Sequence, residues 1–190
     1  NPFFFGHTDE MNDLGLTEYT SPALKATGQV DRLPVTEEDA AEWSIIDVHH
    51  LVEQALEESD STFGESKKQR VKTWLGENNH EIFLEYVESG EDSGYHERST
   101  LESEDIWFDL DELPKHKLLS TMFTWRVHRV FWNEAEAATS DQFYYIDPDS
   151  GVDKMVLGGI LNSRVVWLAN ELIGRRAGGQ GMTRLQTKVY

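Results

Sequence analysis

Apolar and polar residues alternate with the period of a β-strand along much of the chain. The clearest half-buried strand is predicted at 106–111, where Ile106, Phe108 and Leu110 fall at every second position. The strongest β signal lies at 122–132 and is apolar on both faces, which predicts a strand buried on both sides. Similar runs predict strands at 70–75, 82–87, 142–146 and 185–189, with a helix as the alternative at 82–87.

Two segments fit both a helix and a strand. Thr36 to Asp39 resembles a capping box with acidic residues in the first turn, which predicts a helix start. The apolar run at 43–48 also suits a buried strand, so we expect a short helix followed by a strand, or one helix over 36–58. The apolar segment at 155–173 has both a helical and a strand-like pattern.

Residues 1–35 show no sustained period and are interrupted by Gly and Pro. A structureless stretch of this length is unusual inside a compact domain, yet Phe3, Phe4 and Phe5 are too apolar to be left in water. We therefore expect an extended N-terminal arm that lies on its own body or on a neighbouring subunit. Because the chain opens with Asn1, we expect it to be processed or a fragment.

The number and spacing of the predicted strands favour a mainly β fold. An antiparallel sandwich or single jelly roll is predicted, with one or two short helices and the extended N-terminal arm. The expected organisation is an arm at 1–35 and a β-sandwich domain at 36–190 that ends in a basic segment. An α+β fold is the alternative, because 36–58 and 155–173 can both be helical.

The chain is strongly acidic, with 35 Asp and Glu against 17 Lys and Arg, a net charge of −18. This balance argues against a general nucleic-acid binder. It suits a high-salt environment, where screening removes most of the self-repulsion. Residues 154–190 differ, with six basic residues against one acidic residue. Arg175, Arg176, Arg184 and Lys188 are therefore predicted to contact an anionic membrane or an acidic partner, without sequence-specific nucleic-acid binding.

No motif in the sequence predicts catalysis, and we expect no cofactor. The chain has no Cys, which excludes a thiolate site or a disulfide framework. The adjacent His49 and His50 point in different directions in any regular structure, so they do not predict a metal site. Asp147, Asp149 and Asp153 surround Gly151 and form a weak candidate for Ca²⁺, although the spacing misses the EF-hand pattern and a plain turn explains it as well.

The apolar arm, the β-rich body and the basic C-terminal end together resemble single jelly-roll capsid proteins of halophilic (haloarchaeal) icosahedral viruses. The resemblance implies a structural subunit in a virion, without enzymatic activity, that works by self-association. Phe3, Phe4 and Phe5 would tie it to further copies or to other capsid subunits. Alternatives are a tail or adaptor protein of the virion, or a ligand- or polysaccharide-binding β-sandwich in the cell envelope or outside a halophile.

Overall fold

The chain forms two compact units, each assembled from two separate stretches of sequence. The first unit consists of Asn1–Ser21 and Ser44–Leu113, and the second of Pro22–Trp43 and Pro114–Tyr190. The computed structural model describes residues 2–59, 65–124, 128–148, 151–173, 175–177 and 182–184. This division differs from the predicted arm and body, because residues 1–35 contribute to both units.

The described residues contain clearly more helix than strand. The helices are α1 (Thr8–Asp13), α2 (Glu37–Ala40), α3 (His49–Glu58), α4 (Lys67–Glu77), α5 (Glu81–Asp92), α6 (Lys154–Leu161) and α7 (Arg164–Ile173). The strands are β1 (Phe5–His7), β2 (Thr20–Leu24), β3 (Pro34–Val35), β4 (Trp43–Ile46), β5 (Leu118–Thr121), β6 (Phe123–Thr124), β7 (Val130–Asn133), β8 (Ala138–Thr139), β9 (Phe143–Ile146), β10 (Arg175–Ala177) and β11 (Met182–Arg184). The mainly β jelly roll is therefore wrong, and the α+β alternative is confirmed. Within this part of the chain, no helix is long and apolar enough to cross a membrane.

Helices replace two of the predicted strands in the first unit. α4 covers 70–75 because Val71, Trp74 and Leu75 bury one helical face at i, i+3 and i+4. The Ser66 side chain fixes its start by accepting a hydrogen bond from the Gln69 backbone N–H at 3.2 Å. α5 covers 82–87, where the helical alternative is confirmed.

The core of the first unit is rich in aromatic rings. Phe3 is 2% exposed and its ring centre lies 4.5 Å from that of Trp107. The rings approach α5 closely at Gly90, where a Cβ atom would lie 2.7 Å from both Phe3 and Trp107. Phe4 is 4% exposed and also belongs to this core. The apolar character of these two arm residues is thus accounted for by their own chain, without a neighbouring subunit.

The predicted strand at 106–111 is also wrong. Residues 101–103 and 105–108 form turns, and no strand is found among the described residues from 101 to 113. Ile106, Trp107 and Phe108 are all buried, at 9%, 2% and 0% exposure, so the segment does not present alternate residues to solvent. It packs as a turn against the aromatic core because three neighbouring residues bury their side chains together.

The second unit is built around a four-stranded sheet with the order β3-β7-β5-β9. β5 pairs antiparallel with both β7 and β9, whereas β3 pairs parallel with β7. Leu119, Phe131 and Phe143 from this sheet form a core with Leu24 of β2. β9 confirms the predicted strand at 142–146. β6 and β7 confirm parts of the one at 122–132, whose residues 125–127 lie outside the described residues.

The two segments whose patterns fit both a helix and a strand each adopt a definite structure. At 36–58 the chain forms the short helix α2, the strand β4 and the helix α3. The predicted capping box is present, because the Thr36 backbone N–H donates to Asp39 Oδ2 at 2.8 Å. The segment 155–173 is helical and forms α6 and α7. The predicted last strand at 185–189 lies outside the described residues.

Candidate functional site

The strands β10 and β11 bring together three of the four residues predicted to make basic contacts. They pair antiparallel, with Arg175 opposite Arg184 and Arg176 opposite Thr183 in Cα register. β11 also pairs antiparallel with β6, which gives a three-stranded sheet in the order β10-β11-β6. Lys188, the fourth predicted residue, lies outside the described residues.

This pair of strands, which we call the arginine ribbon (175–177 and 182–184), concentrates positive charge. Residues opposite each other in an antiparallel pair have Cα atoms about 4.5–5.5 Å apart. Guanidinium groups stay protonated at any ordinary pH and bind phosphate or carboxylate through paired N–H donors. The arginine ribbon therefore has the composition of a site for an anionic chain.

The net negative charge of the chain comes entirely from the first unit. That unit contains 23 Asp and Glu against five Lys and Arg, a net charge of −18. The second unit contains twelve of each and is neutral overall. Within the second unit, the stretch 114–190 has ten basic and seven acidic residues. An anionic ligand is consequently repelled by the first unit and not by the second.

Helix α6, which precedes α7 and the arginine ribbon in the chain, is fixed to β7 by two contacts. Asn162 forms a pair of hydrogen bonds with Val130: the Val130 backbone N–H donates to Oδ1 at 2.9 Å, and Nδ2 donates to the Val130 carbonyl at 2.8 Å. Gly158 lets the helix approach closely, because a Cβ atom there would lie 2.6 Å from Cζ2 of Trp132. The side chain of Asp153 caps the helix by accepting from the backbone N–H groups of Met155 and Val156.

Both α6 and α7 expose large apolar side chains. On α7 they recur at i, i+3 and i+7, which places them on one helical face. Their exposed fractions lie between 56% and 77% for Met155, Val156, Ile160, Val165, Leu168 and Leu172. The sequence pattern predicts such a helical face but not that it is left in solvent, because amphipathic helices ordinarily bury their apolar side.

A second cluster of polar residues lies in the first unit at the start of α3. His49 Nδ1 and Asp109 Oδ2 are 3.0 Å apart and hydrogen-bonded, and His49 Nε2 lies 3.7 Å from a carboxylate oxygen of Glu53. The hydrogen bond to Asp109 raises the pKa of His49. The candidate ligand atoms of His49, Asp109 and Asp111 lie within 4.8 Å of one another. The hydrogen bond between His49 and Asp109 accounts for the proximity of these three side chains, because it joins the start of α3 to the segment 109–111.

Sequence reasoning missed this cluster because sixty residues separate His49 from Asp109. Adjacent His residues and scattered acidic pairs are the only local signals, and in a chain with 35 acidic residues neither is informative. The pairing depends on the turns at 105–108, which the alternating pattern had predicted as a strand.

The remaining predicted residues are placed as follows. Asp153, one of the three Ca²⁺ candidates, is engaged as the cap of α6. Asp147 has a carboxylate oxygen 4.0 Å from His116 Nδ1, and Asp149 lies outside the described residues. Phe5 is half-buried against the aromatic core of the first unit.

The second unit also has an open groove. Its lining residues are Arg32, Thr36, Glu37, Glu38, Glu134 and Ala135. Because this lining contains three carboxylates and one guanidinium, the groove is not suited to an anionic ligand.

Comparison with known protein families identifies the kind of enzyme to which these units belong. The family described as "Type II methyltransferase M.Eco57I, C-terminal domain" matches residues 1–186, which is nearly the whole sequence. The chain belongs to this family. No curated protein and no solved structure matches the chain.

Membership of this family corrects the interpretation drawn from the sequence. The resemblance to jelly-roll capsid proteins is wrong, and so are the structural role in a virion and the absence of an enzymatic function. The resemblance depended on an arm, a β-rich body and a basic end, without any diagnostic motif. The predicted virion location depended on the same resemblance and has no other support. The predicted membrane or acidic partner of the basic end stays a prediction.

Proposed function

We propose that this chain is the DNA-engaging domain of a DNA methyltransferase, and that the second unit contacts the DNA. The family match supports a role in such an enzyme. The observation that carries the proposal is the arginine ribbon, in which Arg175 and Arg184 are register partners and Arg176 is adjacent. Phosphate contacts by Arg provide most of the affinity of proteins for DNA, and a two-stranded ribbon fits the major groove.

The strongly acidic composition is compatible with this proposal because the charge is unevenly distributed. The argument against a general nucleic-acid binder considered only the total charge of −18. All of that net charge is contributed by the first unit, and the second unit is neutral with its basic excess at 114–190. DNA binding through the second unit therefore needs no reversal of the overall charge.

The methyl group of such an enzyme comes from a donor cofactor, and the described residues do not fit a site for it. Nucleotide-type cofactors are commonly held at the carboxyl ends of a doubly wound parallel sheet. The parallel pairs in the described residues, β2 with β8 and β3 with β7, have only two residues each in register. We therefore place no step of methyl transfer on these residues and assign them to the binding of the DNA substrate.

The proposal is tested by removing the three arginines of the ribbon. A short fluorescent duplex is titrated with the chain at salt concentrations from about 0.1 M to about 1 M, and binding is followed by anisotropy. The variant carries Arg175→Ala, Arg176→Ala and Arg184→Ala. The matched control carries Lys67→Ala, Lys68→Ala and Arg98→Ala, which removes the same charge from exposed or partly exposed positions of the first unit.

We expect the ribbon variant to bind DNA more weakly than the control at low salt. Because each lost phosphate contact lowers the salt slope of log K by about 1, its slope should fall by about 2 to 3. The control should keep the slope of the unmodified chain. If both variants lose the same affinity, only general charge matters and the arginine ribbon is not the contact. If the unmodified chain does not bind the duplex at any of these salt concentrations, the proposed function is wrong.

A further inference from the structure

Helices α6 and α7, which follow one another in the chain, expose large apolar residues that the described part of the second unit does not cover. We call six of them the helical patch: Met155, Val156, Ile160, Val165, Leu168 and Leu172. Burying such a side chain fully removes about 60–120 Å² of apolar area from water, so at these exposures the helical patch leaves about 400 Å² uncovered. Exposed apolar areas of this size commonly mark interaction sites.

The size of the helical patch indicates which class of partner it suits. Interfaces between domains of one protein bury about 600–1,500 Å² in total, or about 300–750 Å² on each side. Stable complexes between separate proteins need about 800 Å² on each partner. A contribution of about 400 Å² lies within the first range and is half of what the second requires. Because a tethered domain has a high effective concentration, a smaller area is sufficient for it to dock.

Area and charge argue against the two other occupants. A second copy of the chain docking through its own helical patch would bury about 400 Å² on each partner, half of what a stable complex between separate proteins needs, and the neutral second unit offers no charge attraction to compensate. DNA needs basic side chains on the contacting surface, and the described residues of α6 and α7 provide only Lys154 and Arg164 beside the helical patch and the exposed Trp167. An apolar surface on a tethered domain of the same enzyme needs neither the larger interface area nor the basic side chains.

We propose that the helical patch docks onto an apolar surface of another domain of the same methyltransferase. This inference rests on the proposed function, since it places the chain within a larger enzyme. α7 would pack by its stripe of Val165, Leu168 and Leu172 in the manner of an amphipathic helix on a groove or a second helix. The docked helix α7 leads directly into the arginine ribbon, so docking would fix the DNA-contacting strands relative to the rest of the enzyme.

The test is carried out on the full-length methyltransferase by oxidation of its methionines. Met155 is 63% exposed and Met11 is 2% exposed, so the chain provides its own reference for a buried thioether. The enzyme is treated with dilute hydrogen peroxide, and the rate of sulfoxide formation at each residue is followed by mass spectrometry. If the helical patch is docked, Met155 reacts nearly as slowly as Met11.

Two variants make this result specific. Leu168→Ser with Leu172→Ser weakens the apolar stripe and should raise the oxidation rate of Met155 several-fold. Leu14→Ser with Ile82→Ser removes equally exposed apolar residues from the first unit and should leave that rate unchanged. Both pairs change side chains that are 52–77% exposed, so neither is expected to unfold its unit.

Every outcome of the oxidation experiment either supports or overturns the docking proposal. Rapid oxidation of Met155 in the unmodified enzyme would overturn the docking proposal. So would protection that rises with enzyme concentration, which would indicate a second copy, or protection that arises only when a DNA duplex is added. Retained DNA binding by the Leu168→Ser, Leu172→Ser variant together with loss of Met155 protection supports docking. The proposed function is tested by DNA affinity and the docking proposal by oxidation of Met155, so failure of one is distinguished from failure of the other.

Discussion

The two adjacent glycines of α6 provide a sharp test of how this helix is held against the sheet. A Cβ atom at Gly158 would lie 2.6 Å from Cζ2 and 2.7 Å from Cε2 of Trp132, whereas a Cβ atom at Gly159 would meet nothing within 4 Å. Gly158→Ala and Gly159→Ala therefore add the same methyl group to the same helix in two different environments.

The magnitude follows from two opposing effects. Replacing Gly by Ala inside a helix stabilises it by about 1 kcal/mol, and both variants gain this amount. Overpacking costs about 1–3 kcal/mol, and only Gly158→Ala incurs it. The rigid indole gives no easy relief, because moving α6 away would stretch the paired hydrogen bonds between Asn162 and Val130. The difference in free energy of unfolding between the two variants therefore isolates the clash and should be about 1–3 kcal/mol.

The measurement is amide hydrogen exchange across a urea series at constant salt, read at the peptide containing β7 and the peptide containing α6. We expect Gly159→Ala to unfold at higher urea than the unmodified chain and Gly158→Ala to unfold at lower urea than Gly159→Ala. Peptides of the first unit serve as the internal control and should be unaffected. Equal shifts for both variants would show that α6 does not pack on Trp132 through Gly158, and the reasoning would be refuted.

Two further predictions concern the first unit. The hydrogen bond that His49 Nδ1 donates to Asp109 Oδ2 raises the pKa of His49, so the stabilisation from this pair is fully present below the unfolded value of about 6.5 and is lost as pH rises through the folded pKa. Asp109→Asn should lower the pKa of His49 in an NMR titration and flatten the pH dependence of stability. Asp105→Asn serves as the control. An unchanged His49 pKa in Asp109→Asn would contradict the assignment of the pKa shift to the hydrogen bond with Asp109. Lowering salt from molar to about 10 mM lengthens the Debye length from about 3 Å to about 30 Å, so the first unit should lose more stability than the neutral second unit. Hydrogen exchange at both salt concentrations checks this expectation, and equal losses in both units would disprove it.

The sequence alone predicted an element correctly where its local signal and its tertiary environment favour the same structure. The capping box at Thr36 and Asp39 predicts the start of α2 because its hydrogen bonds connect residues only three apart. The strand at 143–146 is flanked by turn residues and pairs along its full length with β5. The basic segment was also recognised from composition alone, although its arrangement as a ribbon depends on the register of two strands.

The sequence was insufficient where one pattern is compatible with two periods. Val71, Trp74 and Leu75 suit both a strand and a helix, and burial of one helical face against the first unit decides for the helix. At 106–108 the alternation is overridden because all three side chains enter the aromatic core. The predicted role of Phe3 in assembly followed from its apolar character, which its own core explains.

The candidate sites show the same division between local and distant information. His49 and Asp109 meet only because a turn brings residues sixty positions apart into contact. The helical patch could be predicted as an apolar face of α7 but not as an uncovered one, because exposure is a property of the surroundings. Membership of a methyltransferase family depends on the whole of 1–186, and no short motif carries it.

The interleaving of the two units constrains how the polypeptide reaches its native state. Each unit takes one early and one late stretch of sequence, and the boundaries fall at Ser21, Trp43 and Leu113. During synthesis on the ribosome, the segment Pro22–Trp43 can pack into the second unit only after the chain beyond Pro114 has emerged. The first unit becomes complete at Leu113, when the segment Pro22–Trp43 still lacks the rest of the second unit. A single break in the chain anywhere from 44 to 113 would leave each unit made of two separate fragments that only non-covalent contacts hold together.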